Sequence, residues 1–214
     1  MKQFRTGLIL ALGLGLSACG AIDTATRNAP MDMPQMAVSA PSVQVQSYNI
    51  KVSRGLRVSE ANLYYPMGDI VWRGEPMGDR HAQVAGIFEN SIKQVQQETA
   101  EGALPVAVEI EVLRFHALTE KTRYTIGGVH SIEFNMTVLD PATGAVLVPT
   151  REIKADLKGY GGSKAIAAEQ QGLTQKVRIS RHLVNVVEQE LAAPGSVQPG
   201  VTELVAGLEA NVKI

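Results

Sequence analysis

From Val43 to Ser53 apolar and polar residues alternate, with Tyr48, Ile50 and Val52 on one face, which is the period of a half-buried strand. The stretch Asp69-Ile70-Val71-Trp72-Arg73, bounded by Gly68 and Gly74, predicts a short second strand. After Asp79 the period becomes helical: Val84, Ile87, Phe88, Ile92 and Val95 share one stripe, away from Gln83, Glu89, Lys93, Gln96 and Gln97. Asp79 suits the N-cap of that helix, where a side-chain oxygen satisfies amides that lack intrahelical partners, and Gly102 suits its stop. Val106, Val108, Ile110 and Val112 then alternate with Ala107, Glu109 and Glu111, a strand with one wet face, followed by a polar loop from Thr119 to Gly128. Ile132, Phe134, Met136 and Val138 alternate in the same way, and Asp140-Pro141-Ala142-Thr143-Gly144 predicts a hairpin turn.

The return strand, Ala145 to Leu157, places Val146 and Val148 on one parity and Ile153, Ala155 and Leu157 on the other. One extra residue would flip every side chain to the wrong face, so the switch predicts a bulge near Pro149 to Arg151, where proline is tolerated. Gly159 to Gly162 breaks that strand, and Ser163 is the expected cap of one long last helix. Its stripe runs through Ile166, Leu173, Val177, Val184, Val187 and Leu191 to a stop at Pro194, with Gly172 inside costing roughly 1 kcal/mol relative to alanine. Beyond it, Val201, Leu204, Val205 and Leu208 fit either a short amphipathic helix or a loose end. Strands apolar on one face and helices apolar on one stripe pack as two layers. The expected fold is an α+β two-layer sandwich, a mixed or antiparallel sheet of four to five strands with two amphipathic helices on one face. The helix between strands permits a parallel pair.

The N-terminus has a different pattern. Lys2 and Arg5 precede an apolar run, Leu8 to Leu16, too short to span a bilayer and of the kind that forms a signal peptide. Leu16-Ser17-Ala18-Cys19 resembles the bacterial lipobox, whose cysteine is acylated and becomes the new N-terminus. Cys19 is the only cysteine, so no intramolecular disulfide is available to the exported domain. The expected organisation is a signal peptide over 1–18, a lipidated N-terminus and tether over 19–42, one globular domain over 43–193 and a tail over 194–214. Several acyl chains hold a protein stably at a bilayer without spanning it. Gly20-Ala21 lacks the aspartate that retains many lipoproteins at the inner membrane, so the expected location is the periplasmic face of the outer membrane.

Charge narrows the partners. The net charge of −1, with lysines and arginines scattered, leaves no basic stripe for nucleic acid. Candidate chemistry concentrates between Tyr64 and His81, where Pro-Met-Gly-Asp occurs at Pro66 to Asp69 and again at Pro76 to Asp79 around the only tryptophan, Trp72. Asp69, Glu75, Asp79 and His81 invite an acid/base or ligand reading, while Pro-x-Gly-Asp suits paired turns whose aspartates bond to nearby amides. Alternation puts Trp72 and Arg73 on opposite faces of the short strand, so one of them is expected to face solvent or a partner. His81, His116, His130 and His182 lie on separate elements without metal-ligand spacing, and no metal or cofactor is expected. A G-x-S-x-G nucleophile is absent, and the glycines at Gly127-Gly128 and Gly159 to Gly162 lack the lysine and context of a phosphate loop, which leaves them as hinges at the sheet edge.

The lipobox together with "YNIKVS", "LYYPMGDIVWRGEPMGDRHAQVAGIFENSI" and "VAVEIEVLRF" resembles an uncharacterised family of alphaproteobacterial lipoproteins, a domain of unknown function. More distantly, the order of elements over Val43 to Leu191, with Ile70-Val71-Trp72-Arg73 as its local match, is similar to the auxiliary lipoproteins of ABC-type envelope transport systems. The resemblance carries no catalytic residues, and the doubled Pro-Met-Gly-Asp departs from that group. A lipid anchor, a tether and a small two-layer domain without a reactive constellation lead to the expectation of a non-enzymatic accessory or assembly subunit of an envelope complex, lipid transport among the options, with a membrane contact through Cys19 and an envelope protein partner. The alternative is a small-ligand or lipid-binding module, which requires an apolar cavity of ~300 Å³ or more. A hydrolase would need at least two of Asp69, Glu75, Asp79, His81 and His130 in one cleft.

Overall fold

The computed structural model describes residues 42–97 and 102–197. The signal peptide, Cys19, most of the tether and the stretch from Val201 to Leu208 lie outside the described residues. Ten elements follow one another: β1 (Val43–Val52), β2 (Ile70–Val71), α1 (Arg80–Gln97), β3 (Leu104–His116), α2 (Glu120–Arg123), β4 (Gly128–Leu139), β5 (Val146–Lys154), β6 (Leu157–Gly159), α3 (Gly162–Gln170) and α4 (Gln175–Ala192).

The strands form one open mixed sheet in the order β1-β3-β4-β5, with β2 extending the β1 side of β3 and β6 extending the β5 side of β4. The α+β class is as expected, but the sheet has six strands rather than four or five. β1 and β3 are parallel because α1 carries the chain back between them, while β3, β4 and β5 are antiparallel neighbours. On β3 and β4 the even-numbered apolar residues Val106 to Val112 and Ile132 to Val138 are buried as the alternation requires. Glu109 and Lys51 lie on the wet face.

Register shifts adjust the phase in β1, β3 and β5, and a second one in β5, between Val146 and Val148, leaves Val146 exposed. In β1 an extra residue between Val45 and Ser47 lets Val45 and the later set of Tyr48, Ile50 and Val52 all turn towards the helices. In β3 a shift between Val112 and Arg114 brings Phe115 inward. In β5 the register steps from Val148 opposite Val138 to Arg151 opposite Met136, which places the expected bulge at Pro149 and Thr150.

Both long helices pack on the same face of the sheet. Val84, Ile87, Phe88, Ile92 and Val95 of α1 and Ile179, Leu183, Val186 and Val187 of α4 share one apolar core with the inward strand residues. Edge-to-face aromatic pairs run through it, Phe88 to Phe134 at 5.3 Å and Trp72 to Phe115 at 5.6 Å between ring centroids. The two helices meet closely enough for the Ser91 hydroxyl of α1 to lie 3.2 Å from the Ser180 carbonyl of α4.

Four expectations need correction. The last helix is two helices, because Gly172 takes φ +77° and ends α3, and the Thr174 side chain accepts from the Val177 amide to start α4. The interruption resets the helical phase, so Ile166 is exposed while Ala165 and Ala168 are buried in its place. Ser163 is not the cap of α3: Gly161 holds that position with no side-chain bond. The return strand divides at Ala155 and Asp156, where the Asp156 carboxylate accepts from the Ile132 amide, and the loop after Thr119 contains α2.

Candidate interaction surface

β1 and β3 are parallel and end side by side, so the long connection from Ser53 to Asp79 lies at that end of the sandwich, where α1 also begins. The connection is held by its polar groups. The Asp69 carboxylate accepts from the Arg57 amide at 2.8 Å, and the Arg57 carbonyl accepts from the Asp69 and Ile70 amides, so the first Pro-Met-Gly-Asp is clamped on Arg57. This leads the chain into β2, which pairs with Phe115 and His116 at the end of β3. The second repeat ends at Asp79, which caps α1 by accepting from the Ala82 amide at 3.1 Å and forms a two-pronged ion pair with Arg54 at 2.9 and 2.7 Å. The bond from Arg54, followed by that from the Ala82 amide, lowers the Asp79 carboxyl to about 2.

Trp72 is fully buried, so the expectation that it could face a partner is overturned. Its indole N–H donates to the Glu75 carboxylate at 2.8 Å, and the other Glu75 oxygen accepts from Lys176 at 2.7 Å. Burial pushes the Glu75 carboxyl upward, but the Lys176 and Trp72 bonds outweigh it and leave the group below its ordinary value. Arg73 is the outward residue of the pair, yet it is engaged too. Its Nε donates to Glu120 at the start of α2, and another of its nitrogens donates to the Glu60 carbonyl at 2.7 Å. Buried Arg80 donates to both Glu60 oxygens at 2.7 and 3.0 Å, to the carbonyls of Glu75 and Pro76, and to Gln83. The His81 ring lies 3.0 Å from the Leu56 carbonyl and 3.8 Å from Asp79.

The polar candidates are therefore divided among structural partners. Asp79 and His81 are brought near each other by the first turn of α1, whereas Asp69 pairs with Arg57, Glu75 with Lys176, and His130 lies buried on β4. Among the described residues no group of three or more His, Cys, Asp or Glu could hold a metal ion.

Beside exposed charged residues such as Arg54 and Arg57, this end also presents large apolar side chains to solvent. Tyr65 and Met67 are each 83 % exposed and Met77 81 %, with Leu63 more than half exposed beside them in sequence. The first Pro-Met-Gly-Asp buries Gly68 and half-buries Asp69, the second leaves Gly78 and Asp79 exposed, and both turn their methionine out. The supporting backbone is tied down: the Thr119 hydroxyl donates to the Leu63 carbonyl at 2.8 Å, the Thr122 hydroxyl to the Tyr64 carbonyl at 3.2 Å, and the Gln83 side-chain Nε2 to the Pro76 carbonyl at 2.9 Å. The His116 ring is 3.0 Å from the Pro66 carbonyl. Sequence reasoning weighed the charged residues and passed over Leu63, Tyr65, Met67 and Met77. The available signal was an apolar side chain repeated at the tip of two polar turns.

Comparison with known proteins adds the following. No curated protein matches the chain. A Xanthomonas campestris protein of the family DUF330 superposes with a TM-score of 0.38 at 14% identity, covering 83% of this chain and 93% of that one. A candidate lipoprotein from Caulobacter crescentus gives a TM-score of 0.29 at 13% identity over 67% of this chain and 87% of its own. PelC from Paraburkholderia phytofirmans, solved as a dodecamer, gives 0.30 at 14% identity over 72% and 94%. A family model matches from the first residue of β1 to beyond the end of α4, residues 43–207, and the chain therefore belongs to DUF6778, a family of unknown function.

Proposed function

We propose that this protein is a lipoprotein held in the cell envelope by acyl chains on Cys19, facing the periplasm from the outer membrane, and that it serves as a non-enzymatic accessory or assembly subunit of an envelope complex. The lipobox-like Leu16-Ser17-Ala18-Cys19 supports the anchor. Among the described residues no helix is long and apolar enough to cross a membrane. The non-enzymatic reading is supported by the engagement of Asp69, Glu75 and Asp79 in clamps, pairs and a helix cap.

The observation that carries the partner reading is the display of Tyr65, Met67 and Met77 on a backbone that its neighbours already hold. Single exposed apolar residues are common, but tyrosine and methionine gathered on pinned loops at one end match the composition of protein interface cores. A fixed backbone also lowers the ordering cost of binding. The reaction class is thus recognition of a membrane protein partner, with a lipid-moving assembly as its narrower form.

The test is capture from detergent-solubilised envelope with the tagged full chain at native expression. The expected result is recovery of a defined membrane protein, lost when Tyr65, Met67 and Met77 are all changed to serine while the unfolding transition stays unchanged. Recovery of the lipoprotein alone, or capture indifferent to the triple substitution, would sink the reading.

A further inference from the structure

The space between sheet and helices is filled by side chains, but at the end opposite the Pro-Met-Gly-Asp loops a cavity of about 230 Å³ remains open. It lies where β1 and β3 begin, where β4 passes into β5, and where α4 ends, with Val43, Leu104, Val138, Leu147, Leu191 and Pro194 on its wall. Glu190 is the one polar residue among the described lining, and its oxygens are already taken. One accepts from the Val197 amide at 3.0 Å, and the other from the Gly195 amide at 2.9 Å while lying 2.8 Å from the Arg151 guanidinium. That last contact is an ion pair without hydrogen-bond alignment, since the same guanidinium nitrogen lacks a geometrically acceptable acceptor. A headgroup, sugar or unpaired peptide entering the cavity would lose its hydrogen bonds to water and find no partner.

We infer that this cavity receives a stretch of one fatty acyl chain from a phospholipid of the membrane to which the protein is anchored. Three observations lead to that occupant. The lining is hydrocarbon, which matches a chain and excludes a polar ligand. The volume exceeds the ~150 Å³ of an apolar cavity known to accept benzene and falls short of the ~300 Å³ of pockets for whole drug-sized ligands, so part of a chain fits and a complete lipid does not. The position is set by the chain itself: Val43, on the cavity wall, is where the segment from Cys19 enters the domain, and residues 19–42 reach at most ~80 Å even fully extended. The cavity therefore lies at the end of the domain where the chain from Cys19 enters, and the proposed partner surface lies at the other end.

The inference rests on the anchor at Cys19, and the experiment separates the two. The photoreactive amino acid p-benzoylphenylalanine is placed at Leu147 in the full chain, with Ile166 on α3 as the exposed control, and living cells are irradiated before mass analysis of the purified protein. The expected product is an adduct carrying the mass of a phospholipid at position 147 and none at 166, abolished when Ala192→Trp fills the mouth of the cavity. An adduct to residues 198–214 of the same chain, to the acyl chains on Cys19, or to another protein overturns the inference, as does the absence of any adduct in cells whose protein incorporates palmitate. Palmitate incorporation measured in the same cells tells whether a negative result reflects a missing anchor or a cavity that does not take lipid.

Discussion

The indole N–H of Trp72 donates to Glu75 across 2.8 Å, and Glu75 in turn holds Lys176 of α4 at 2.7 Å. One carboxylate therefore ties the turn after β2 to a helix far along the chain, and the buried ring packs edge-on against Phe115. Gly74 completes the arrangement, because a Cβ there would come within 2.2 Å of a Trp72 ring carbon. Trp72→Phe keeps most of the apolar contact and loses the bond, for an expected cost of about 1 kcal/mol. Trp72→Ala leaves a cavity as well and is expected to cost about 3–5 kcal/mol. Urea denaturation followed by far-ultraviolet circular dichroism measures both, and equal losses for the two variants would show that the bond to Glu75 dominates.

His130 gives the fold a sensitivity to mild acid. Burial first, then the charges of Arg178, Arg123 and His182, lower it from 6.5 to about 3. Its Nδ1 accepts from the Leu118 amide at 3.3 Å, so a proton on that nitrogen would set donor against donor. Between about 3 and 6.5 the unfolded chain holds a proton that the folded chain refuses. The contribution is thus fully present above 6.5 and is lost as pH falls through that window, with a slope of up to about 1.4 kcal/mol per pH unit. His130→Gln should flatten stability against pH over this range in urea titrations at several pH values. An unchanged slope would assign the acid sensitivity to other groups.

The parts of the fold that the sequence shows best are those with long uninterrupted periods. Val106 to Val112 and Ile132 to Val138 sit on the core face that their alternation dictates, and Asp79 caps α1 as its place before the apolar stripe requires. The bulge at Pro149 was legible from the opposite parities of Val148 and Ile153, whereas Val146 is exposed because a second register shift separates it from Val148. Trp72 was not, since β2 has only two residues and the ring's direction is decided by the turn and by Glu75 rather than by alternation. The division of the last helix was missed because Ile166 and Leu173 happen to fit the step pattern of α4. Met67 and Met77 had no periodic neighbours, so nothing local told whether they point in or out.

Two glycines that look alike in sequence do different work, and substitution separates them. Gly172 has φ +77° with nothing within 4 Å of an added Cβ, so Gly172→Ala pays only for a left-handed backbone, about 1–2 kcal/mol. Gly161 has an extended backbone at φ −125°, but a Cβ there would meet the Gly127 nitrogen at 2.3 Å and the Ile126 carbonyl carbon at 2.5 Å. Backbone atoms cannot step aside as side chains do, so Gly161→Ala is expected to cost on the order of 3 kcal/mol. The glycines at 127 and 161 are in this sense a close crossing of two loops rather than hinges. Thermal unfolding of the two variants side by side checks the order, and a milder effect at Gly161 would show that the loops can separate.

Methionine oxidation reads the partner surface directly. The thioethers of Met67 and Met77 are open to solvent, whereas Met136 is fully buried on β4. Exposure governs the rate at which peroxide converts methionine to its sulfoxide. Brief peroxide treatment of the free protein should therefore oxidise Met67 and Met77 well before Met136, as measured by mass spectrometry of the corresponding peptides. The same treatment of the envelope fraction carries the functional information, because a partner seated on this end would shield both methionines and leave the order among other exposed side chains unchanged. A sulfoxide is polar, so preoxidised protein should also lose the captured partner without losing its fold. If Met67 and Met77 oxidise as fast in the envelope as in free solution, this end of the sandwich faces solvent in the cell and the contact with a partner must lie elsewhere.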